Sequence, residues 1–265
     1  MDLTRIWPRF ENRYREARSR FWHRKPCAMR IARPLVSFTF DDVPRSSCTV
    51  GRPILESFGV RGSFYLSMGL MDGDYSIGPA FSRADLERLM EGGHEIGSHT
   101  FGHLDAWRTR PGLFEASLLE NRRRLQELFP GSAFRTFSYP ISWPHPRIKK
   151  MAGALHVCCR GGGQAYNAGT VDLNLLNSVF LDARNAGRLD AMKKIIDESG
   201  EKAGWLIFST HDIDERPSPY GATPGFLEDV VRYARASGAE ILPVYEAWTR
   251  LVAGPGEAAR GKGNG

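Results

Sequence analysis

Short apolar runs alternate with amphipathic stretches through most of the chain, and the alternation predicts an ordered series of elements. Pro34–Phe40 reads as a buried strand, and Val60–Ser67, His94–Ser98, Phe134–Tyr139, Leu155–Cys159, Leu175–Leu181, Trp205–Thr210 and Glu240–Val244 read as further strands. Between them Arg52–Phe58, Ser82–Met90, Leu113–Leu128, Pro146–Gly153, Asp190–Lys202 and Thr223–Ser237 carry helical periodicity. Ser82 with Asp85 three residues on resembles a capping box. Thr223, Pro224 and Gly238 fit the N-cap, N1 and C′ positions of their helix. Asn121-Arg122-Arg123-Arg124 is expected on the wet side of its helix, and residues 160–172 read as a glycine-rich loop. Strand followed by helix, repeated, predicts a parallel sheet or barrel.

Two segments flank this alternation. In residues 5–24, Trp7, Phe10, Tyr14 and Phe21 recur at helical steps with arginines between them, which predicts an amphipathic helix. Such a helix packs on its own domain or a second subunit, or it rests as a peripheral element on an anionic membrane. The Gly/Ala-rich, charged end is expected to be disordered. The expected organisation is therefore a basic helical segment over 1–33, a barrel over 34–250 and a disordered tail over 251–265.

Composition narrows the classes. At 265 residues with 42% hydrophobic and 25% charged side chains, the chain is globular and long enough for one large core. No run reaches the roughly 18 apolar residues of a membrane span. Met1–Trp7 lacks a basic n-region and apolar h-region, so a cytoplasmic location is expected. Cys27, Cys48 and the adjacent Cys158-Cys159 form no CxxC pair, and the pair is expected to be small core side chains. Net charge is +6, and ten Arg or Lys fall within residues 1–33. That favours anionic partners, but no nucleic-acid fold signature accompanies it, so no nucleic-acid partner is expected.

The candidate chemistry gathers after strands. Asp41-Asp42 ends the run Ser37-Phe38-Thr39-Phe40, and His99 and His103 stand four apart just past another strand. Two imidazoles and one carboxylate make a facial set for a divalent metal, provided that the histidine segment turns helically. The second carboxylate is left beside the metal, where a general base belongs. His94-Glu95 is not the start of an HExxH motif, because Ser98 stands where the second histidine would be, and His94 is read as structural. His211 follows the strand Trp205–Thr210 and suits a general acid for a leaving amine, with Asp212 and Asp214 either tuning it or capping the loop. The N–H after Pro140, in Phe137-Ser138-Tyr139-Pro140, is placed to face a developing oxyanion. Chemistry at the carboxyl ends of strands is the arrangement of an α/β barrel.

These residues resemble the polysaccharide deacetylase family, the carbohydrate esterases with a NodB homology domain, across about residues 34–250. Thr39-Phe40-Asp41-Asp42 resembles the first motif, His99-Thr100-Phe101-Gly102-His103 the metal motif, Phe137–Pro140 the third, and Ile207–His211 the late motif with the catalytic histidine. The resemblance implies a distorted (β/α)7 barrel that removes an N-acetyl group, less often an O-acetyl group, from a sugar. By the same resemblance Asp41 is the base and His211 the acid. Asp42, His99 and His103 hold the metal, zinc in most members and cobalt, nickel or manganese in others, and the amide of Ile141 helps to hold the oxyanion. Many members carry an arginine in the third motif that holds the catalytic aspartate, and a tyrosine and glycine at its end. Here Ser138, Ile141 and Ser142 occupy those places, and Asp172, Asp182 and Arg184 are the candidates for orienting Asp41 or His211. The expected substrate is an acetylated sugar on a nucleotide or lipid carrier in glycan or lipopolysaccharide synthesis. The alternatives are a deformylase or other C–N hydrolase, or an inactive carbohydrate-binding module.

Overall fold

The computed structural model describes residues 3–141 and 143–257; residues 1–2, Ser142, residues 258–265 and the side chains of residues 3–10 and 254–257, Trp7 and Phe10 among them, lie outside it. Seven parallel strands make the barrel: β1 (Leu35–Asp41), β2 (Ser63–Leu66), β3 (Glu95–Ser98), β4 (Thr136–Ser138), β5 (Cys158–Gly163), β6 (Leu176–Phe180) and β7 (Trp205–Thr210). Each pairs with the next, and β7 closes on β1, with Trp205–Thr210 beside Leu35–Phe40. A two-residue strand, β8 (Glu240–Ile241), pairs with the start of β1 below the point where β2 joins it.

The helices are α1 (Leu3–Phe21), α2 (Arg52–Ser57), α3 (Arg83–Glu91), α4 (Pro111–Leu128), α5 (Pro146–Leu155), α6 (Leu189–Glu201), α7 (Pro224–Ala236) and α8 (Val244–Glu257). The expected caps are present. Ser82 and Asp85 bond each other's backbone in a capping box, and Thr223 Oγ1 accepts the Phe226 N–H at 3.3 Å. The last helix corrects the expected disordered tail at 251–257. The segment is helical, and Leu251 is buried with Val244 and Ala247 under the barrel floor.

Strand periodicity divides the barrel into an apolar outside and a largely polar inside. Val36, Phe38 and Phe40 pack outward against the helices. Ser37, Thr39 and Asp41 point inward, where Thr39 Oγ1 donates to the Phe208 carbonyl at 2.8 Å and Trp205 Nε1 donates to Ser37 Oγ at 3.0 Å. Cys158 and Cys159 fall on opposite faces of β5 as small buried side chains, and the four cysteines are free thiols. Strand β5 continues through Gly163, so the first part of the expected glycine-rich loop is barrel wall.

Asn121 also departs from expectation. It is fully buried, because Phe114, Leu118, Asn121 and Leu125 share the inner face of α4. Its Oδ1 accepts the Met68 N–H at 2.8 Å, and its Nδ2 donates to the Leu66 carbonyl at 2.9 Å and to Ser98 Oγ at 3.0 Å. It thereby clamps the ends of β2 and β3, while Arg123 and Arg124 pair in solvent with Glu120 and Glu127.

Helix α1 packs on the barrel's side. Ser19 Oγ donates to the Pro144 carbonyl at 2.6 Å, and the buried Lys149 ammonium bonds the Ser19 carbonyl at 2.6 Å and Asp172 at 2.5 Å. Arg15 lies over Trp107 and Arg20 over Trp143. Of its aromatic residues, Tyr14 and Phe21 are exposed. No helix of the described residues is long and apolar enough to cross a membrane.

Asn121→Ala removes three buried hydrogen bonds and leaves the Met68 N–H without its Asn121 acceptor, while the Leu66 carbonyl keeps the His99 N–H. A loss of about 2–4 kcal/mol is expected. Urea denaturation checks this, and a loss under about 1 kcal/mol would show that the clamp contributes little.

Candidate metal centre and active site

Adjacent strand residues ordinarily face opposite sides. Asp41 closes β1 inside the barrel, and Asp42 and Val43 then adopt left-handed backbone, φ +58° and +51°. This unfavourable turn brings the Asp42 carboxylate back over the same mouth, so both acids line one cleft. His99 and His103 reach it by a different route from the helical turn expected. The segment is a bent loop with Thr100 and His103 left-handed, φ +62° and +52°. It is held by Thr100 Oγ1, which accepts the Leu104 N–H at 3.0 Å, and by the Gly69 N–H, which donates to the Phe101 carbonyl at 2.9 Å.

One ligand atom from each of Asp42, His99 and His103 lies within 4.8 Å of the others. His99 Nδ1 donates to the Ser138 carbonyl at 2.8 Å, so its Nε2 presents a lone pair. That Nε2 is 3.5 Å from Asp42 Oδ1, and His103 Nε2 is 3.3 Å from the same oxygen. Asp42 Oδ1 is buried without a hydrogen-bond partner among the described residues. Burial keeps both imidazoles neutral, pushing His99 down to about 3 and lowering His103. Converging lone pairs and an orphaned carboxylate oxygen with no proton to share fit a divalent cation.

Asp41 has a different partner. Burial alone would raise its carboxyl, but the Arg160 guanidinium bonded to Oδ1, with His99 and His211 nearby, holds it well below the usual carboxylate range. Arg160 is itself buried and stacks on the Tyr65 ring, 4.8 Å from its centroid. Tyr65 fits because position 97 is glycine: a Cβ there would come within 2.4 Å of the ring. Arg160 is the functional residue that sequence reasoning missed. Its register partner across the β4–β5 ladder is Ser138, the very place where the resemblance expects an arginine, and Ser138 Oγ is buried without a partner among the described residues. The positive group thus arrives from the neighbouring strand.

The candidates named for this task do other work. Asp172 holds Lys149, and Asp182 pairs with Arg184. Asp212 and Asp214 cap their loop, Asp212 accepting the Ser218 N–H at 2.7 Å and Asp214 the Arg216 N–H at 2.9 Å. His211 is oriented by a backbone group instead: Nδ1 donates to the Tyr220 carbonyl at 3.2 Å, leaving Nε2 3.9 Å from Asp42 Oδ2. His94 is structural, accepting the Gly62 N–H on Nδ1 at 3.0 Å. Ile141 lines the cleft in left-handed backbone, φ +64°, with its side chain exposed. The cleft is about 700 Å³. Tyr75, Trp143, Phe180 and Tyr220 line it, and Asn12 and Glu16 of α1 form part of its wall.

In the metal-free protein, burial and then Asp41 raise Asp42 to about 6, against the opposing effect of His211. A raised carboxyl costs stability as pH climbs from about 4 to about 6, and a cation reverses that cost. At pH 5 the cation must instead displace the Asp42 proton. The thermal midpoint is therefore expected to rise several degrees more on adding zinc at pH 7.5 than at pH 5. An equal rise at both pH values would remove Asp42 from the ligand set.

Residues 30–157 match the family model described as polysaccharide deacetylase. No protein of curated function matches the chain by sequence. Among solved structures, the acetyl xylan esterase of Clostridium thermocellum, in complex with a cobalt ion, is 21% identical with a TM-score of 0.58 over 83% of this chain and 93% of its own. The chitin deacetylase of the fungal pathogen Colletotrichum lindemuthianum is 16% identical, TM-score 0.58, over 82% and 89%. A family 4 pseudoenzyme from Bacillus anthracis is 12% identical, TM-score 0.56, over 82% and 66%. Residues 30–157 are thus similar to the polysaccharide deacetylase family, and the seven-stranded barrel has the fold of these carbohydrate esterase structures.

Proposed function

We propose that this protein is a metal-dependent hydrolase that removes the N-acetyl group of a sugar carried on a nucleotide or lipid phosphate, on the cytoplasmic side, in glycan or lipopolysaccharide synthesis. One observation carries the reading: a cation-ready Asp42–His99–His103 set shares its cleft with an ionised Asp41 and with His211. Tyr75, Trp143, Phe180 and Tyr220, among the aromatic side chains of the cleft, suit the apolar face of a pyranose. The basic N-terminal segment and the four free thiols support the carrier and the compartment.

A divalent cation, zinc by preference, held by Asp42, His99 and His103 supplies Lewis acidity for the amide carbonyl and acidifies water. The protein's own groups do the rest. Arg160 takes one oxygen of Asp41 and fixes the carboxylate, leaving the other oxygen to accept a proton from the attacking water. Ile141 lines the cleft, and its N–H is assigned to the developing oxyanion. His211, with its Nδ1 proton committed to the Tyr220 carbonyl, exchanges protons through Nε2 and delivers one to the departing amine.

Acetate release from N-acetyl sugars and their phosphates, with metal content measured alongside, tests this assignment. Asp41→Asn should lower turnover about 10³-fold with metal retained, and His99→Ala should lose the metal. Undiminished activity in the first variant, or full metal in the second, refutes the corresponding role. A wild-type protein that binds metal and releases acetate from none of these sugars makes the fold here a binding module or an amidase of other substrates.

Arg160→Ala should lower kcat about 10- to 100-fold with little change in KM, because Asp41 loses its anchor. Arg160→Lys should recover part of that loss. A change confined to KM would mean that Arg160 binds substrate rather than positioning Asp41.

A further inference from the structure

A second cavity of about 330 Å³ lies beside the cleft, lined by Arg20, Arg24, Tyr166 and Asn177 among others. Arg20 stands between the two. Its guanidinium bonds Glu16 at 2.9 Å, lies 4.8 Å above the Trp143 ring, and crosses Gly163 so closely that a Cβ there would come within 3.2 Å of it. Glu16, Trp143 and Gly163 all line the first cleft.

The charge around the second cavity is uneven. Its one acid, Asp172, is neutralised by Lys149 and also accepts the Lys25 and Asn174 N–H groups. Arg20 has Glu16 as counter-ion, on the cleft side. Arg24 makes no ion pair among the described residues. The cavity therefore holds one cation in excess, next to the place where an acetamido sugar would sit.

We infer that this cavity is the subsite for the phosphate or diphosphate of a glycosyl phosphate substrate, with Arg24 and Arg20 as its anion-binding residues. The assignment rests on the sugar deacetylase reading and deepens it. Arginine suits the role because its fork of N–H donors meets phosphate oxygens in pairs. Two carriers share this chemistry, a nucleoside diphosphate and a polyprenyl diphosphate. The exposed Phe21 and Trp22, packed edge to face beside Arg20 and Arg24, give the second a way to present itself from a membrane.

The test is calorimetric binding of N-acetylglucosamine and N-acetylglucosamine 1-phosphate to the metal-loaded full chain. The phosphate should bind at least about tenfold more tightly, and Arg24→Ala should abolish that advantage. Arg232→Ala, on the outer face of α7 with Glu228 and Asp229 as partners, should keep it. A phosphate held at the metal instead would bind Arg24→Ala as tightly as wild type and overturn the assignment, as would equal affinity for the two sugars. Uridine diphosphate N-acetylglucosamine in solution and the same sugar on polyprenyl diphosphate in vesicles then separate the carriers, and preference for neither over the free sugar is a further refutation. Binding is read apart from acetate release. Tight, Arg24-dependent phosphate binding without acetate release would leave the subsite standing and remove the deacetylase reading. Acetate release indifferent to phosphate would do the reverse.

Discussion

Two neighbouring buried carboxylates cannot both stay charged without help, and the ion pair between Arg160 and Asp41 is the help this barrel provides. Asp41 and Asp42 share one mouth only because the backbone after β1 turns through two left-handed residues. Their separate duties then depend on separate surroundings. Asp41, against a guanidinium, is ionised throughout the working range. Asp42, with two lone-pair nitrogens in front of it, has its carboxyl raised by burial, and a cation would favour its charged form. One acid is thereby set up as a base and its neighbour as a ligand, although their covalent chemistry is the same.

That division reaches down through the barrel. Arg160 can lie flat inside because Tyr65 offers its ring, and the ring fits because residue 97 has no side chain. Tyr65 is in turn hydrogen-bonded to Thr136, which shares Glu95 with Ser63. Glu95 is buried, with its carboxyl raised by that burial, yet its oxygens accept from Thr136, Ser63 and the Tyr245 N–H. Burying such a carboxyl is costly unless it is satisfied, and the bonds gathered around Glu95 are the platform on which the Arg160–Asp41 pair stands.

Much of this was legible in the chain. Asp41, Asp42, His99, His103 and His211 are legible as a cluster because each stands at or soon after the end of a strand expected from the sequence, and a parallel barrel gathers strand ends at one mouth. The cysteines at 158 and 159 are core side chains, as expected, and their placement also bears on residue 160. One cysteine on each face is strand periodicity, which places Arg160 inside. Three glycines after it masked the strand, since glycine ordinarily signals a loop. Asn121 was hidden in a similar way. Its spacing from Phe114, Leu118 and Leu125 puts it on the buried stripe of α4, but the three arginines that follow gave the whole segment a wet appearance. The approach of His103 was beyond reach, because a left-handed bend is a tertiary outcome with no local residue signature here.

The first helix shows why a barrel of shared chemistry can serve a private substrate. On the proposed reading the strand ends supply metal ligands, base and acid, and these say little about the substrate beyond the bond that is cut. Specificity has to come from what surrounds the mouth, and in this chain an added helix supplies part of that wall through Asn12 and Glu16. The helix is fixed to the barrel by buried bonds from Ser19 and Lys149 rather than by loose surface contacts, so its side chains keep a defined relation to the metal ligands. A rigid attachment of this kind matters most for a ligand with two distant handles, an acetamido group at one end and a charged group at the other, since each fixes the register of the other. Two of the basic residues in the first 33 positions thus have a local meaning: Arg20 and Arg24 stand in the cavity beside the cleft, where an anionic substrate would be oriented before the reaction begins.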